Sequence, residues 1–181
     1  IVFRKQANET KEALDIRMNY PTPHVLAELN KGWTVSFDSE KRGPKAIVMD
    51  ELVDITTHIN DSIKYYSGTI QYENSFKLDH KKALGRVFLK AHDLSAMAKV
   101  EVNGELVGGF WTAPYQVDIT DYITNGRNQI KIEVTTTWVN RIIGDLKLPI
   151  EERKTWLTFQ PWNENDGLHK SGLIGPVVIE S

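Results

Sequence analysis

Apolar and polar residues alternate with a period of two through most of the chain. The runs are Leu14/Ile16/Met18, Trp33/Val35/Phe37, Ile70/Tyr72/Phe76, Val87/Leu89/Ala91, Ala98/Val100/Val102, Tyr115/Val117/Ile119 and Ile130/Ile132/Val134. Successive side chains of a strand point to opposite faces, so each run predicts a strand with one buried face. We expect roughly eight or more strands in two sheets. The core is expected to contain Val100, Val102, Val117, Ile119, Ile130 and Ile132.

Turn signals separate these runs. They are Arg42-Gly43-Pro44, Ser67-Gly68, Asn103-Gly104, Asn125-Gly126 and Gly175-Pro176. Asn103-Gly104 lies between two apolar runs, and a type I′ turn needs positive φ at both central residues, which Asn and Gly tolerate. The pair therefore predicts a tight hairpin.

Helix evidence is limited to short pieces at residues 50–62 and 150–154, neither of which has a sustained 3.6-residue period. The predicted fold class is therefore all-β, an antiparallel jelly-roll β-sandwich. We assign residues 11–181 to this domain and expect residues 1–10 to be the trailing strand of a preceding domain. The chain opens in a strand-like run, 1–3, and closes in another, 177–179, so we expect it to be a piece of a longer protein.

Composition excludes several function classes. The 181 residues carry a net charge of −2 and no long basic run, which argues against nucleic acid and anionic membranes as partners. No apolar stretch approaches the roughly 20 residues of a membrane helix. The absence of cysteine excludes disulfides, thiolate metal sites and cysteine nucleophiles.

Carboxylates and histidines give no catalytic or metal motif. Glycoside hydrolysis uses two carboxylates, about 5 Å apart for retention or roughly 6.5–9.5 Å apart for inversion. The acids in loop-like stretches are Asp145, Glu151, Glu152, Glu164 and Asp166, and we interpret them as solvated acids. The five histidines show no metal-binding spacing. We expect no cofactor, and a structural calcium ion stays open because no EF-hand-like loop defines one.

The tryptophans divide into two groups. Trp33 alternates with core residues, whereas Trp111, Trp138, Trp156 and Trp162 fall at strand ends or in loop-like stretches. Exposed indoles stack on the apolar face of a pyranose, but they also pack against a neighbouring domain. Both interpretations stay open at this stage.

The segment from Trp138 to Asp145 mixes an aromatic ring, an amide, a guanidinium and a carboxylate. These groups suit a polyol site, and they equally suit a buried structural cluster in which Arg141 pairs with Asp145. We favour the structural interpretation and expect Arg141 to be buried. It should make charge-assisted hydrogen bonds to a carboxylate, with Asp145 the first candidate, or to backbone carbonyls. The candidate carbohydrate-binding residues are Trp111, Trp138, Asn140, Arg141, Asp145, Trp156 and Trp162.

Several stretches together resemble a known family. Residues 63–72 with Phe76, 100–104, 108–111, 114–115, 118–121 and the turn 125–130 follow the order of the galactose-binding-like sugar-binding domain of glycoside hydrolase family 2. Residues 137–145, 148–149 and 171–177 are similar to the C-terminal sandwich of family 106-type α-L-rhamnosidases. The resemblance covers about residues 30–180 and transfers no catalytic residue.

The resemblance implies a jelly-roll domain of a large bacterial enzyme whose catalytic carboxylates lie on a separate barrel. It further implies a periplasmic or extracellular location, with carbohydrate and the parent's catalytic domain as partners. The expected function is a non-catalytic accessory domain that stabilises a rhamnosidase-like hydrolase. The alternatives are an independent carbohydrate-binding module and a protein-interaction sandwich without sugar affinity, since one fold serves all three.

Overall fold

Ten strands and two α-helices are present in the part of the chain that the structure, a computed structural model, describes: residues 23–38, 43–44, 46–79, 83 and 85–181. The strands are β1 (Val25–Leu29), β2 (Trp33–Phe37), β3 (Ala46–Met49), β4 (Thr69–Leu78), β5 (Phe88–Ser95), β6 (Met97–Val102), β7 (Glu105–Phe110), β8 (Gln116–Asp118), β9 (Gly126–Thr135) and β10 (Gly172–Glu180). The run 14–18 and the strand expected over 1–10 lie outside the described residues.

The strands form two antiparallel sheets. One has four strands in the order β1-β10-β5-β8, and the other has six in the order β3-β2-β4-β9-β6-β7. The long strands β4 and β9 pair along their whole length, from Thr69 opposite Thr135 to Leu78 opposite Gly126. This arrangement confirms the predicted all-β sandwich.

The inward-facing residues of both sheets form one core. Strands β2, β4, β6 and β9 bury alternate residues, as the period-two pattern predicts. Of the six residues predicted to be buried, five are at most 2% exposed. The prediction for Val117 is wrong, because it lies on the three-residue edge strand β8 and is only half-buried.

The core also contains a polar link between the sheets. The backbone N–H of Leu173 on β10 donates a hydrogen bond of 3.2 Å to the Tyr72 hydroxyl on β4. Tyr72 is fully buried, and this burial raises the pKa of its hydroxyl, so the phenol stays neutral. The bond fixes the register of one sheet over the other.

The predicted hairpin is confirmed. Asn103 and Gly104 have φ values of +52° and +85° and connect β6 to β7. The Asn103 amide donates to the Tyr122 carbonyl and to Asn128 Oδ1. Asn128 therefore joins this hairpin to the turn before β9.

The helical pieces include one that the sequence did not predict. Short turns at Ile55–Thr57, at α1 (Asp61–Lys64) and at Ile150–Glu152 match the short pieces expected. The second helix, α2 (Val139–Leu146), follows β9 and occupies the segment that was interpreted as a buried structural cluster. It packs so closely on Tyr65 that a Cβ at Gly144 would lie 2.6 Å from that side chain.

The two ends of the sandwich differ in what covers them. At the end we call the loop end, β9 finishes at Thr135, β5 finishes at Ser95 and β10 begins at Gly172. Helix α2 and residues 147–171 are attached here. At the opposite end, backbone hydrogen bonds of 2.8 and 2.9 Å pair His24 with Ser181.

Candidate functional site

Side chains of helix α2 make hydrogen bonds to the long segment, residues 147–171, that crosses the loop end. The buried Asn140 amide donates to the His169 carbonyl at 2.6 Å and accepts from the His169 N–H at 2.8 Å. This two-bond clamp fixes the segment just before β10. Both polar ends of the Asn140 amide are thereby engaged within the protein.

Asp145 anchors the same segment further upstream. Its Oδ2 accepts from the N–H groups of Lys154 at 2.8 Å and Thr155 at 2.7 Å, and from the Thr155 hydroxyl at 2.9 Å. Its Oδ1 is buried and has no hydrogen-bond partner in the described part of the chain. One carboxylate oxygen therefore accepts three hydrogen bonds, while the other accepts none.

Arg141 lies beside that oxygen. It is only 5% exposed, which confirms the predicted burial. Its Nη1 is 3.9 Å from Asp145 Oδ1, an ion-pair distance too long for the expected hydrogen bond between them. The ion pair with Asp145 therefore forms without a direct hydrogen bond between Nη1 and Oδ1, and a hydrogen bond from Arg141 to a backbone carbonyl stays a prediction.

The burial of these three polar candidates favours the structural interpretation. Asn140, Arg141 and Asp145 are between 1% and 5% exposed, and their partners are protein groups at the loop end. Buried polar groups that are paired in this way stabilise a conformation rather than present a surface. Their contact with carbohydrate stays a prediction.

The four tryptophan candidates are placed differently. Trp111, Trp138 and Trp156 are 74%, 52% and 84% exposed. Trp162 is half-buried and meets the His169 ring edge-on, with 5.3 Å between centroids. Three of the four indoles therefore present surface at the loop end, and the fourth packs internally.

Two of the exposed tryptophans belong to one surface. Trp111 follows β7, Met97 opens β6 and Trp138 follows β9, and these three strands are neighbours in the six-stranded sheet. Adjacent strands lie about 4.8 Å apart, so Met97 and Trp111 lie close together at the loop end, and Trp138 lies three residues beyond the end of β9 at the same end. We call Met97, Trp111 and Trp138 the apolar corner.

The third exposed tryptophan borders a cleft of about 370 Å³ between α2 and residues 150–160. The apolar residues of this α2 cleft are Ile142, Leu146, Ile150, Trp156 and Leu157. Its polar residues are Asp145, Arg153, Thr155 and Gln160. Its volume falls in the roughly 300–1,000 Å³ range of small-molecule sites.

Arg153 closes the helix end of the cleft. Its Nε donates to the Leu148 carbonyl at 3.0 Å and its Nη2 to the Leu146 carbonyl at 3.3 Å. These are carbonyls at the C-terminus of α2, where a positive charge is favourable. Among the described residues, no carboxylate pairs with this guanidinium, and Nη1 makes no hydrogen bond.

A second depression, of about 390 Å³, lies on the outer face of the six-stranded sheet. Two of its charged residues are paired, since Lys131 Nζ lies 2.7 Å from Glu101, and Lys131 is also 3.5 Å from Glu133 beside it. No aromatic residue lines it. It is a charged sheet surface without a stacking platform.

The acids of the described part of the chain form no metal cluster. Asp166, one of the loop acids, accepts from the N–H and the amide of Asn163 and so closes a local turn. Within the described ranges, no group of three or more His, Asp or Glu residues could hold a metal ion. Similarly, no helix there is long and apolar enough to cross a membrane.

The sequence analysis missed Met97, Arg153, Thr155 and Gln160. Met97 opens the regular run of β6, and its exposure follows only from the position of the strand end. The other three lie in residues 153–160, which mix aromatic and polar side chains without any period. That mixture, next to Trp156, was the available signal.

Comparison with known proteins identifies a family and relatives that are similar to this chain. The family described as glycosyl hydrolase 2 galactose-binding domain-like matches residues 50–160. A putative β-glucuronidase of Formosa agariphila is 33% identical over 88% of this chain, and the chain spans 16% of that protein.

Solved structures agree. A rhamnosidase from Novosphingobium sp. PP1Y superposes with a TM-score of 0.82 at 33% identity, over 89% of this chain and 15% of that one. A β-D-glucuronidase of Dictyoglomus thermophilum superposes with a TM-score of 0.61 at 26% identity, over 89% and 28%. On the family match, which covers more than half of its length, the chain belongs to the galactose-binding-domain-like family of glycosyl hydrolase 2.

Proposed function

We propose that this chain is a non-catalytic domain of a longer glycoside hydrolase and that it packs against the rest of that enzyme through the apolar corner. The observation that carries the proposal is the exposure of Met97, Trp111 and Trp138, at 39%, 74% and 52%, at or just beyond the ends of three adjacent strands. Exposed apolar side chains grouped at one end of a sheet are typical of interaction sites.

The position of the corner supports a domain contact. It lies at the loop end, whereas the paired backbones of His24 and Ser181 lie at the other end of the sandwich. A partner bound at the corner would therefore contact the end of the sandwich opposite to the His24–Ser181 pair. Such a contact would restrain the orientation of the domain in addition to any covalent linker.

Catalysis is assigned to the remainder of the enzyme. The chain spans 16% of its glucuronidase relative and 15% of the rhamnosidase. Asp145 and Asp166, two of the loop acids, accept internal hydrogen bonds. A rhamnosidase-like parent and a periplasmic or extracellular location stay predictions.

The test replaces the corner with serine (Met97→Ser, Trp111→Ser and Trp138→Ser) in the 181-residue chain and in the longer protein. Its matched control is Val48→Ser with Leu106→Ser, two apolar residues that are 72% and 62% exposed on the edge strands β3 and β7. We expect the corner variant to melt like the unmodified protein as an isolated chain. In the longer protein, its domain transition should fall to the isolated-chain value.

The control should leave both melting temperatures unchanged. If the corner variant melts like the unmodified longer protein, the corner is not a domain contact. Hydrolysis of p-nitrophenyl glycosides by the 181-residue chain, lost on mutation of one carboxylate, would contradict the non-catalytic assignment.

A further inference from the structure

We propose that the α2 cleft is the docking site for a segment of the longer hydrolase outside these 181 residues, and that this segment carries an apolar side chain with a carboxylate beside it. The inference rests on the proposed function for the existence of the rest of the enzyme. It adds a second contact, distinct from the apolar corner, and it states the chemistry of the occupant.

The cleft exposes apolar side chains that the described part of the chain does not cover. Ile150 and Trp156 are 79% and 84% exposed, and Leu157 is 38% exposed. Together with Ile142 and Leu146 of α2 they line a concave space of about 370 Å³. An apolar pocket at a protein surface typically receives an anchoring aromatic or aliphatic side chain of a partner. The cleft is therefore suited to one such side chain.

Hydrogen bonds fix the wall of the cleft before anything docks. The N–H groups of Lys154 and Thr155 donate to Asp145 Oδ2 at 2.8 and 2.7 Å, and the Thr155 hydroxyl donates to the same oxygen at 2.9 Å. The residues on either side of Trp156 and Arg153 in sequence are thereby attached to α2. A surface that is ordered in advance loses little conformational entropy when a partner binds.

Arg153 gives the cleft a positive charge. Its half-buried guanidinium donates through Nε and Nη2 to the carbonyls of Leu148 and Leu146, and Nη1 makes no hydrogen bond. No carboxylate of the described residues pairs with it. A body that covers the cleft also removes this charge from water, which is unfavourable unless the body brings an anion. A carboxylate on the occupant would supply that anion and accept from Nη1.

The position of the cleft favours the rest of the same enzyme as the source of the occupant. Trp138 of the apolar corner immediately precedes α2, and Ile142 and Leu146 follow it at intervals of four residues, on neighbouring turns of the helix. With a rise of 1.5 Å per residue, they lie roughly 6 and 12 Å further along the helix axis. A single neighbouring domain at the corner can therefore reach the cleft. The chain spans only 16% of its glucuronidase relative, so such a neighbour is available in a protein of that length.

The charge is tested with Arg153→Glu in the 181-residue chain and in the longer protein. Loss of the hydrogen bonds to α2 should lower the melting temperature in both. Repulsion of the docked carboxylate should lower the domain transition of the longer protein by at least about 3 °C more. Lys154→Glu is the matched control, because Lys154 is exposed and does not line the cleft, and it should show no additional loss in the longer protein. Arg153→Lys keeps the charge and should recover most of the additional loss.

The apolar contact is tested with Trp156→Ser combined with Leu157→Ser. This variant should melt close to the unmodified protein as an isolated chain, whereas in the longer protein its domain transition should fall. Phe159→Ser is the control, because Phe159 is 78% exposed and does not line the cleft, and it should leave both melting temperatures unchanged.

The proposal is refuted if Arg153→Glu lowers the melting temperature equally in the two proteins, or if the Trp156 and Leu157 variant melts like the unmodified longer protein. Both results are expected if the cleft instead takes a small molecule or a separate protein. These variants keep the apolar corner, and the corner variant keeps the cleft. A failure of the docking site therefore leaves the corner contact standing, and the reverse also holds.

Discussion

Two buried polar side chains anchor loops at opposite ends of the sandwich, and the protein satisfies them to different degrees. Asn128 accepts from the Thr124 N–H, the Thr124 hydroxyl and the Asn103 amide, and it donates to the carbonyls of Thr124 and Gly126. Asp145 accepts three hydrogen bonds on Oδ2 and none on Oδ1.

The difference separates a purely structural anchor from one beside a candidate site. The Asn128 network closes on itself, joins two turns and leaves no group for a ligand. The Asp145 network fastens a loop but retains an unused acceptor, and it lies beside a cleft with an exposed indole. Incomplete satisfaction of a buried polar group is thus the feature that distinguishes the loop end.

The largest expected effect comes from Arg141→Ala. This change would leave the Asp145 carboxylate buried without its ion pair, so the free energy of unfolding should fall by about 2–4 kcal/mol. Urea melts with and without galactose or rhamnose measure it, and the loss should not depend on sugar. Lys147→Ala, an exposed residue just after α2, is the control. An unchanged stability would contradict the structural role of Arg141.

A comparable but smaller effect is expected at the satisfied anchor. Asn128→Ala removes several hydrogen bonds and leaves buried backbone groups without partners, which should lower the free energy of unfolding by about 2–3 kcal/mol. Gln129→Ala, on the exposed side of the same strand, should change it by less than about 0.5 kcal/mol. Equal effects of the two variants in urea melts would contradict the role of Asn128.

The sequence predicts the region around Asn128 better than the region around Asp145. Asn103-Gly104 and Asn125-Gly126 predict turns from local geometry alone, and the alternation in β6 and β9 predicts which faces are buried. Helix α2 was missed because Asn140, Arg141 and Asp145 face the protein interior, so its buried side carries polar residues and shows no apolar period. The α2 cleft was missed because it depends on contacts between α2 and residues 150–160.

A smaller effect tests Asp145 Oδ2, the oxygen that accepts three hydrogen bonds. Thr155→Val removes one of the three donors to Asp145 Oδ2 and keeps the shape of the side chain, so the free energy of unfolding should fall by about 1 kcal/mol. Thr158→Val, at an exposed position in the same segment, is the control. Guanidinium melts of both variants measure the difference, and a loss that is equal in the two would mean that the bond contributes nothing.

The smallest effect is a pH dependence at a third, half-buried anchor, Asp118. The Thr120 hydroxyl and N–H, and then Arg86, lower the pKa of Asp118 below its usual range. The folded pKa lies below the unfolded value of about 4, so the contribution is present above that pH and is lost as the pH falls through the folded pKa. Asp118→Asn should cost at most about 1 kcal/mol at pH 7 and progressively less below about pH 4. Asp121→Asn is the control, and a pH-independent difference would contradict the assignment.

Oxidative footprinting of the tryptophans, read by mass spectrometry, tests the central claim most directly. Labelling is compared between the 181-residue chain and the longer protein that carries it. We predict that Trp111 and Trp138 are labelled in the chain and protected in the longer protein, while Leu106 is labelled equally in both. Equal labelling of Trp111 and Trp138 in the two proteins would contradict the account of the apolar corner as a domain contact.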